Sequence, residues 1–281
     1  MDGAMGTELQ RAGINEGECY ELWNLTRPAV VGGIHERYVA AGAEVLLTNT
    51  FQARAEALAR HRLAEKQAEI MAAAIALARA AAGPQRWVVA ALGPVGPKAD
   101  RAVEARRLLA AAADADAILL ETQSDLADLE AIAAARDQWA DTAPPLFVSF
   151  TFRRGPAGQP ETIHGRSPAQ CARHLERFGV AALGVNCGRD IDADTILAIV
   201  RGYRDNTGLP LFARPNAGTP RRAGVGRWEY PLSPTIWAEG LARVLDARVA
   251  MIGGCCGTTP EHIAALRRLI SPTTPDTAPR R

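Results

Sequence analysis

The segment VAMIGGCCGTTPEHI, residues 249–263, contains an apolar run, a glycine-rich turn with two adjacent cysteines, and the start of a helix. The run VAMI has the composition of a strand that is buried on both faces. A capping hydroxyl at Thr259 followed by Pro260 at the first helical position predicts that a helix begins there. The segment therefore predicts one strand followed by one helix, with Cys255 and Cys256 at the carboxyl end of the strand.

The same strand-to-helix pattern recurs along the chain of 281 residues. Seven such units are visible, and a truncated first strand before DGAMG makes eight, which predicts a single (β/α)8 TIM barrel of the α/β class. A doubly wound open sheet is the alternative, and the lack of GxGxxG after the first strand disfavours it. The predicted strands lie at 43–51, 87–94, 117–122, 145–152, 180–188, 209–218 and 249–257. The predicted helices lie at 28–41, 52–82, 99–113, 125–139, 167–178, 192–205, 232–246 and 260–270.

Composition narrows the domain organisation and the class of partner. One domain is predicted over residues 1–270, followed by a proline-rich polar tail at 271–281 that we expect to be disordered. Thirty-two basic and 31 acidic side chains give a net charge of +1 without a basic block, so we expect a small-molecule partner and no nucleic acid. No apolar run of membrane-spanning length and no signal peptide is found, which predicts a cytoplasmic protein without a membrane partner.

The cysteines pose the main chemical question, because a vicinal disulfide, inert thiols and metal ligands are all compatible with two adjacent cysteines. Cys187 ends a predicted strand that is separated by one neighbour from the strand ending at Cys255 and Cys256, so three thiols converge at one rim of a barrel. The flanking glycines allow both adjacent sulfurs to face inward. Three thiolates with an open fourth position are typical of a catalytic zinc site. Cys19 and Cys171 stand apart and are interpreted as inert core thiols.

Six stretches of the sequence carry a family resemblance. They are DGAMGTEL at 2–9, AGAEVLLTNTFQA at 41–53, LLET at 119–122, GVNCG at 184–188, PNAG at 215–218 and GGCCGTTPEHI at 253–263. Together they resemble the homocysteine S-methyltransferase family, whose homocysteine-binding barrel also occurs in cobalamin-dependent methionine synthase and betaine-homocysteine methyltransferase. The last stretch is highly specific, and the resemblance extends over nearly the whole chain.

The resemblance implies a (β/α)8 fold that binds zinc through Cys187, Cys255 and Cys256. Homocysteine would place its sulfur in the fourth position, and methyl transfer to that zinc-bound thiolate would form methionine. A coordinating cation holds a thiol deprotonated, and only the thiolate is a competent nucleophile, so the chemistry agrees with the resemblance.

The resemblance also assigns substrate contacts. Asp2 and Glu121 are expected to bind the amino group of homocysteine, since carboxylates pair with an ammonium. Its carboxylate is expected to bind backbone N–H groups of the loop formed by Ala4, Met5, Gly6 and Thr7. Asn216 is either a neutral oxygen ligand of zinc, a hydrogen-bonding neighbour or a turn residue, and Asn49 has the same alternatives. The five histidines are interpreted as structural residues, because they lack a ligand spacing such as HExxH.

The methyl donor is less well defined by the sequence. The connection GPVGPKADRAVEARRLLAAAADADAILLET is shorter than the family pattern on the donor side, and few aromatic residues are available for a quaternary ammonium cage. A sulfonium such as S-methylmethionine or S-adenosylmethionine is therefore favoured. The alternatives are a corrinoid protein partner with methyltetrahydrofolate, a different thiol acceptor, and a noncatalytic barrel that binds zinc and homocysteine.

Overall fold

The computed structural model describes residues 1–96, 100–137, 143–224 and 227–271. Within these ranges seven parallel strands form one curled sheet, and two short antiparallel hairpins lie outside it. The strands are β1 (Val45–Leu47), β2 (Trp87–Leu92), β3 (Ala117–Gln123), β4 (Leu146–Phe150), β5 (Arg153–Arg154), β6 (Pro160–Glu161), β7 (Ala182–Asn186), β8 (Leu211–Arg214), β9 (Arg221–Gly224), β10 (Arg227–Glu229) and β11 (Met251–Ile252). The order across the parallel sheet is β1-β2-β3-β4-β7-β8-β11, so every strand of that sheet lies beside its neighbour in the chain.

Helices connect successive strands of the sheet. After each parallel strand the chain must return to the opposite end of the sheet before the next strand begins, and a helical crossover makes that connection. The helices are α1 (Met5–Arg11), α2 (Trp23–Thr26), α3 (Pro28–Ala40), α4 (Ala55–Ala59), α5 (Gln67–Ala82), α6 (Arg101–Ala111), α7 (Leu126–Arg136), α8 (Pro168–Leu175), α9 (Ala193–Arg204), α10 (Pro234–Gly240), α11 (Ala242–Asp246) and α12 (Pro260–Ile270). None of the helices in the described part of the chain is long and apolar enough to cross a bilayer.

The sheet separates two apolar regions, because successive side chains of a strand point to opposite faces. One face packs against the helices in a large core. The other face forms a smaller cluster in the interior of the curled sheet, built from Val45, Leu47, Val89, Ala91, Ala117, Leu119, Ala182 and Phe212. Burial on both faces explains why the strands read as continuous apolar runs rather than as alternating ones.

The predicted helix starts at Ser167, Ser233 and Thr259 are confirmed. The Ser167 side chain accepts from the backbone of Gln170, whose own side chain reaches back to Ser167. At Thr259 the hydroxyl accepts from the backbone N–H of His262, and the His262 side chain accepts from the backbone N–H of Thr259. The other ring nitrogen of His262 contacts the carbonyl of Leu232. Both helices that carry a reciprocal cap therefore begin where the sequence predicts.

Several predicted boundaries differ from the structure. The predicted helix at 52–82 is divided into α4 and α5, because Arg62 adopts a left-handed conformation with φ of 60°. The predicted helix at 232–246 is likewise divided into α10 and α11 around Leu241. The predicted strands at 43–51, 209–218 and 249–257 end early, because their carboxyl ends leave the sheet as loops. The loop predicted around residues 4–7 is instead the start of α1.

The first two residues hydrogen-bond to both edges of the parallel sheet. The backbone N–H of Asp2 donates to the carbonyl of Val45 at 2.9 Å, and the carbonyl of Asp2 accepts from Gly254 at 2.9 Å. The amino group of Met1 donates to the carbonyl of Ile252 at 2.7 Å. Met1 and Asp2 thus bridge β1 and the end of β11, where the truncated first strand is predicted, without forming a regular strand. Residues 97–99, 138–142 and 272–281, where parts of two predicted helices and most of the predicted tail fall, lie outside the described residues.

Candidate metal and substrate site

Three cysteine side chains converge at the carboxyl ends of the parallel strands. Cys187 follows β7 directly, and Cys255 and Cys256 follow β11. The Sγ atoms of Cys187 and Cys256 are 4.0 Å apart, and those of Cys255 and Cys256 are 3.9 Å apart. All three sulfurs lie within 4.8 Å of one another, so one ion could contact all of them. The described cysteines form no disulfide.

Unusual backbone conformations bring the sulfurs together. Cys187 itself has a left-handed φ of 56°, and Gly188 has a φ of 101°. Gly257 has a φ of 82°, and a Cβ atom there would lie 2.1 Å from the ring of Tyr230. A left-handed residue other than glycine is strained, and such strain is often held at a functional site by the surrounding structure.

Backbone hydrogen bonds fix the two cysteine loops to the strand end between them. The N–H of Cys187 donates to the carbonyl of Arg214 at 3.3 Å, and the N–H of Cys255 donates to Pro215 at 2.9 Å. The carbonyl of Cys256 accepts from Ala217 at 3.0 Å. The loop after β8 therefore holds both cysteine segments in place through backbone hydrogen bonds.

The three thiols interact electrostatically as one group. Hydrogen bonds from Cys255 and then Cys256 hold the pKa of Cys187 well below its usual range, with a further contribution from Asn216. The same hydrogen bond to Cys187 raises the pKa of Cys255 to about 11 and raises that of Cys256 as well. Burial, together with the neighbouring thiols, raises the pKa of Tyr230. The protonation of each thiol therefore depends on the other two.

Asn186 supports the cluster from the end of β7. Its side-chain oxygen accepts from the N–H of Thr122 at 3.0 Å and from the hydroxyl of Ser149 at 2.6 Å. Its amide nitrogen donates to the Thr122 hydroxyl at 2.8 Å and lies 3.8 Å from the sulfur of Cys255. Thr122 has a φ of 61°, a strained conformation for a β-branched residue. This network connects the thiols to the strand end that carries Glu121.

Two buried carboxylates lie on the same rim. Oδ2 of Asp2 accepts from the backbone N–H of Leu47 at 2.7 Å. Glu121 ends the regular part of β3 and is hydrogen-bonded by Nη1 of Arg214. Nη2 of Arg214 is 3.6 Å from Oδ1 of Asp2. The guanidinium therefore lies between the two carboxylates that the family resemblance assigns to the substrate.

Burial and Arg214 have opposite effects on these carboxylates. Desolvation raises the pKa of Asp2 to about 6 and that of Glu121 to about 7, although Arg214 opposes both shifts. Burial also acts against the charge on Arg214, but Glu121 and Asp2 outweigh it and hold the pKa of Arg214 above its usual value. Arg214 thus stabilises the charge of each carboxylate and each carboxylate stabilises that of Arg214, whereas the two carboxylates repel each other in this poorly solvated place.

The segment Ala4 to Thr7 is placed beside the last cysteine loop. The N–H of Ala4 donates to the Thr258 hydroxyl at 3.1 Å, so this amide already has a partner. Met5, Gly6 and Thr7 form the first turn of α1, and the Thr7 hydroxyl accepts from Gly257 at 3.2 Å. The first N–H groups of a helix have no partner within the helix and attract negative charge.

Asn216 and Asn49 have different surroundings. The Asn216 amide nitrogen donates to the carbonyl of Gly188 at 3.2 Å, and its buried Oδ1 has no hydrogen-bond partner among the described residues. The Asn49 amide nitrogen donates to the carbonyl of Tyr20 at 2.9 Å and to Asn24 at 3.0 Å. Asn216 therefore lies next to the thiol cluster with a free oxygen, whereas Asn49 ties the loop after β1 to the α2 region.

Sequence reasoning missed four residues of the site. Asn186 precedes Cys187 within GVNCG, Thr122 follows Glu121, Tyr230 follows the β9–β10 hairpin, and Arg214 ends β8. The available signal was strongest for Arg214, because an arginine within a buried strand requires a partner of opposite charge. The strain at Thr122 and the approach of Tyr230 leave no signal in a single sequence.

Comparison with known proteins shows the family to which this chain belongs. The model of the family described as homocysteine S-methyltransferase matches residues 1–270. A methionine synthase of Mycobacterium leprae is 31% identical over 99% of this chain, which spans 25% of that protein. A methionine synthase of Mycobacterium tuberculosis is 32% identical over 93% of this chain and 24% of its own length. The chain thus spans about a quarter of the length of these two relatives.

Two further relatives match this chain along most of both lengths. The homocysteine S-methyltransferase YbgG of Bacillus subtilis is 28% identical over 94% of this chain and 91% of its own. The crystal structure of the homocysteine methyltransferase MmuM from Escherichia coli, in a metallated form, superposes with a TM-score of 0.73. It is 25% identical and covers 95% of this chain and 94% of its own.

Proposed function

Since the chain belongs to the homocysteine S-methyltransferase family, we propose that it transfers a methyl group to the sulfur of homocysteine and so forms methionine. The observation that carries this proposal is the placement of three thiols and two buried carboxylates at the same ends of the parallel strands. Thiols bind a soft cation and carboxylates pair with an ammonium. Homocysteine carries a thiol and an ammonium in one small molecule, so each of its ends finds a suitable partner.

Zinc is the proposed metal, held by Cys187, Cys255 and Cys256. Zinc–sulfur bonds of about 2.3 Å place two thiolates of a tetrahedral site about 3.8 Å apart. The distances of 3.9 and 4.0 Å between neighbouring sulfurs fit that geometry. Three thiolates disfavour magnesium, calcium and manganese, and they leave one position for a further ligand. When bound, zinc would keep the substrate thiol deprotonated and therefore nucleophilic.

The proposed substrate contacts follow from the same geometry. Asp2 and Glu121 would bind the ammonium, and the first turn of α1, from Met5 to Thr7, would bind the carboxylate. The N–H of the preceding Ala4 is already hydrogen-bonded to the Thr258 hydroxyl. In the transfer, the substrate sulfur bonds to the methyl carbon while that carbon's bond to the donor breaks. The thiol proton goes to solvent when the thiolate forms. Alignment of the substrate sulfur with the methyl carbon and the donor atom that it leaves would supply much of the acceleration.

Asn216 is proposed as a neutral oxygen ligand when substrate is absent. Its Oδ1 is buried without a partner among the described residues, and its amide nitrogen is already used by Gly188. A buried amide oxygen without a partner is costly, so a nearby cation would stabilise it. For Asn49 we propose a supporting role in the loop after β1, because its amide is bonded to Tyr20 and Asn24.

The proposed donor is a sulfonium such as S-methylmethionine or S-adenosylmethionine. With such a donor the methyl group leaves a positively charged sulfur, and the released thioether is neutral. A second candidate is methyl transfer from a corrinoid protein partner that is charged by methyltetrahydrofolate. The similarity to one quarter of two mycobacterial methionine synthases favours this candidate.

The full eight-stranded barrel is also part of the proposal. The hydrogen bonds of Met1 and Asp2 to both edges of the seven-stranded sheet support a closed (β/α)8 barrel in which these residues lie at the position of the first strand. The cytoplasm is the proposed compartment, because a reducing environment preserves three neighbouring thiols. The span 1–270 remains the predicted domain.

Metal content and thiol ligation test the proposal. We expect about one zinc per chain in the purified protein and its loss in Cys187→Ala and Cys256→Ala. Cys171→Ala is the matched control, because Cys171 is a buried thiol of α8 outside the cluster. Zinc-edge X-ray absorption should show an additional sulfur neighbour when homocysteine is added.

The activity assay then separates the donors. Methionine formation from homocysteine with S-methylmethionine or S-adenosylmethionine would support the sulfonium proposal, whereas turnover only with a methylated corrinoid would support the second candidate. Binding of homocysteine without transfer from any of these donors would favour a noncatalytic barrel. A reduced protein that holds no zinc when zinc is supplied would refute the proposed site.

A further inference from the structure

Arg214 is the buried cation of the substrate site. Its side chain is 4% exposed at the end of β8, and it is ion-paired with both Glu121 and Asp2. Nη2 also reaches the carbonyl of Gly3 at 3.4 Å, so neighbouring backbone helps hold the guanidinium. An arginine stays charged at any physiological pH, so this positive charge is permanent.

The position of Arg214 conflicts with a simple assignment of both carboxylates to the substrate ammonium. Two carboxylates without Arg214 would present two negative charges to an incoming cation. With Arg214 between them, the charges of Asp2, Glu121 and Arg214 sum to −1 when all are ionised. The arginine therefore already provides much of the favourable interaction that an ammonium would provide.

Displacement of Arg214 by substrate would be costly. A buried guanidinium that loses its carboxylates retains the desolvation penalty without the compensating attraction. Its Nε has no hydrogen-bond partner among the described residues, so the guanidinium also has an unused donor for an anionic group. The substrate amino group must then share Glu121 and Asp2 with Arg214 rather than replace it.

We propose that Arg214 is a specificity-determining residue that weakens the requirement for an amino group on the thiol acceptor, so that the site also takes thiols with a carboxylate and no amino group. The proposal rests on the proposed function, since it concerns the same acceptor site. The chemical class is a short mercapto-carboxylate, of which 4-mercaptobutanoate is homocysteine without its amino group. In this chain the sulfur and the carboxylate contribute most of the acceptor's binding free energy.

The test compares L-homocysteine with 4-mercaptobutanoate on the zinc-loaded protein by isothermal titration calorimetry. In the wild type we expect the two dissociation constants to agree within about tenfold, since the desolvation cost of burying an ammonium offsets much of its attraction to carboxylates that are already paired. In Arg214→Gln both carboxylates lose their cation, and we expect the preference for homocysteine to rise by about tenfold or more. Arg214→Lys keeps the charge and should keep the wild-type ratio.

A second variant covers the case in which Arg214→Gln does not fold. The double substitution Arg214→Gln with Asp2→Asn removes one charge of each sign, so Glu121 alone remains for the ammonium. This protein should also prefer homocysteine by about tenfold more than the wild type does.

The results that would overturn the proposal are distinct from those that overturn the proposed function. If the wild type prefers homocysteine by about a hundredfold and the ratio is the same in the Gln variants, Arg214 does not set the selectivity while the proposed function stands. If neither thiol binds the zinc-loaded protein, the proposed function is refuted and the inference with it.

Discussion

His35 makes the stability of the chain depend on pH by an amount that can be calculated. Its imidazole is fully buried in α3, neither ring nitrogen has a partner among the described residues, and burial lowers its pKa from 6.5 to about 4. Below the unfolded pKa of 6.5 the unfolded chain binds a proton that the folded chain does not. Stability is therefore present above that pKa and is lost as the pH falls towards the folded value. Between about pH 7.5 and about pH 5 the linkage relation gives a loss of about 2 kcal/mol from this residue.

The substitution His35→Leu removes the titrating group and keeps a side chain of similar volume. Thermal unfolding of wild type and variant, followed by circular dichroism at both pH values, measures the difference. The wild type should lose about 4–8 °C more than the variant on acidification, since about 1 kcal/mol shifts the melting temperature by about 2–4 °C in a chain near this size. Both proteins carry the same thiols and carboxylates, so the titration of those groups cancels.

The control for this experiment is His164→Leu, because His164 is exposed. This substitution should leave the pH dependence of the melting temperature as it is in the wild type. Equal losses on acidification in the wild type and in His35→Leu would refute the reasoning, because they would show that the folded state accommodates a proton on His35 as readily as the unfolded state does.

Two other substitutions test how the site is held. Gly257→Ala places a methyl group 2.1 Å from the ring of Tyr230 at a φ of 82°, so we expect a loss of about 2–4 kcal/mol in unfolding free energy and faster zinc release to a chelator. Gly208→Ala is the control, because the space around Gly208 is open. Equal losses of unfolding free energy in the two variants would contradict the role of the close contact with Tyr230. Tyr38→Phe removes a buried hydroxyl that donates to the carbonyl of Ala4 at 2.9 Å. We expect this substitution to lower the free energy of unfolding, measured in urea, by about 1–3 kcal/mol. Tyr20→Phe is the control and should lower it much less, because the Tyr20 hydroxyl is more exposed.

The arrangement of strands and helices was largely accessible from the sequence. Buried parallel strands read as continuous apolar runs, and caps such as Ser167 before Pro168 mark helix starts by a local hydrogen bond. At one of the bounds where the prediction was wrong, a backbone conformation decided the outcome, since Arg62, with a φ of 60°, lies between α4 and α5. Composition carries no signal for such a conformation in an arginine.

The convergence of the thiols was predictable for a different reason. Parallel strands have their carboxyl ends on one side, so Cys187 and the pair Cys255 and Cys256 had to share a rim if the strands formed one sheet. The left-handed φ of Cys187 and the close approach of Gly257 to Tyr230 could not be predicted, because both depend on the positions of loops that are distant in sequence. The residue types thus specify the chemistry of the site, and the loops specify its exact distances.

Arg214 shows how a charge count extends what the sequence can predict. Periodicity places LFAR in a strand buried on both faces, and a fully buried arginine is rare unless it is paired. The carboxylates assigned to the same rim, Asp2 and Glu121, are distant from Arg214 in the chain, but the curled parallel sheet brings all three groups together. The buried Arg214 needs a carboxylate partner, and two carboxylates are predicted at the same rim. The residue types and the strand order are therefore enough to predict an ion pair. Family resemblance alone assigns both carboxylates to the substrate. A buried arginine needs partners of opposite charge, so the same two carboxylates also form ion pairs with Arg214.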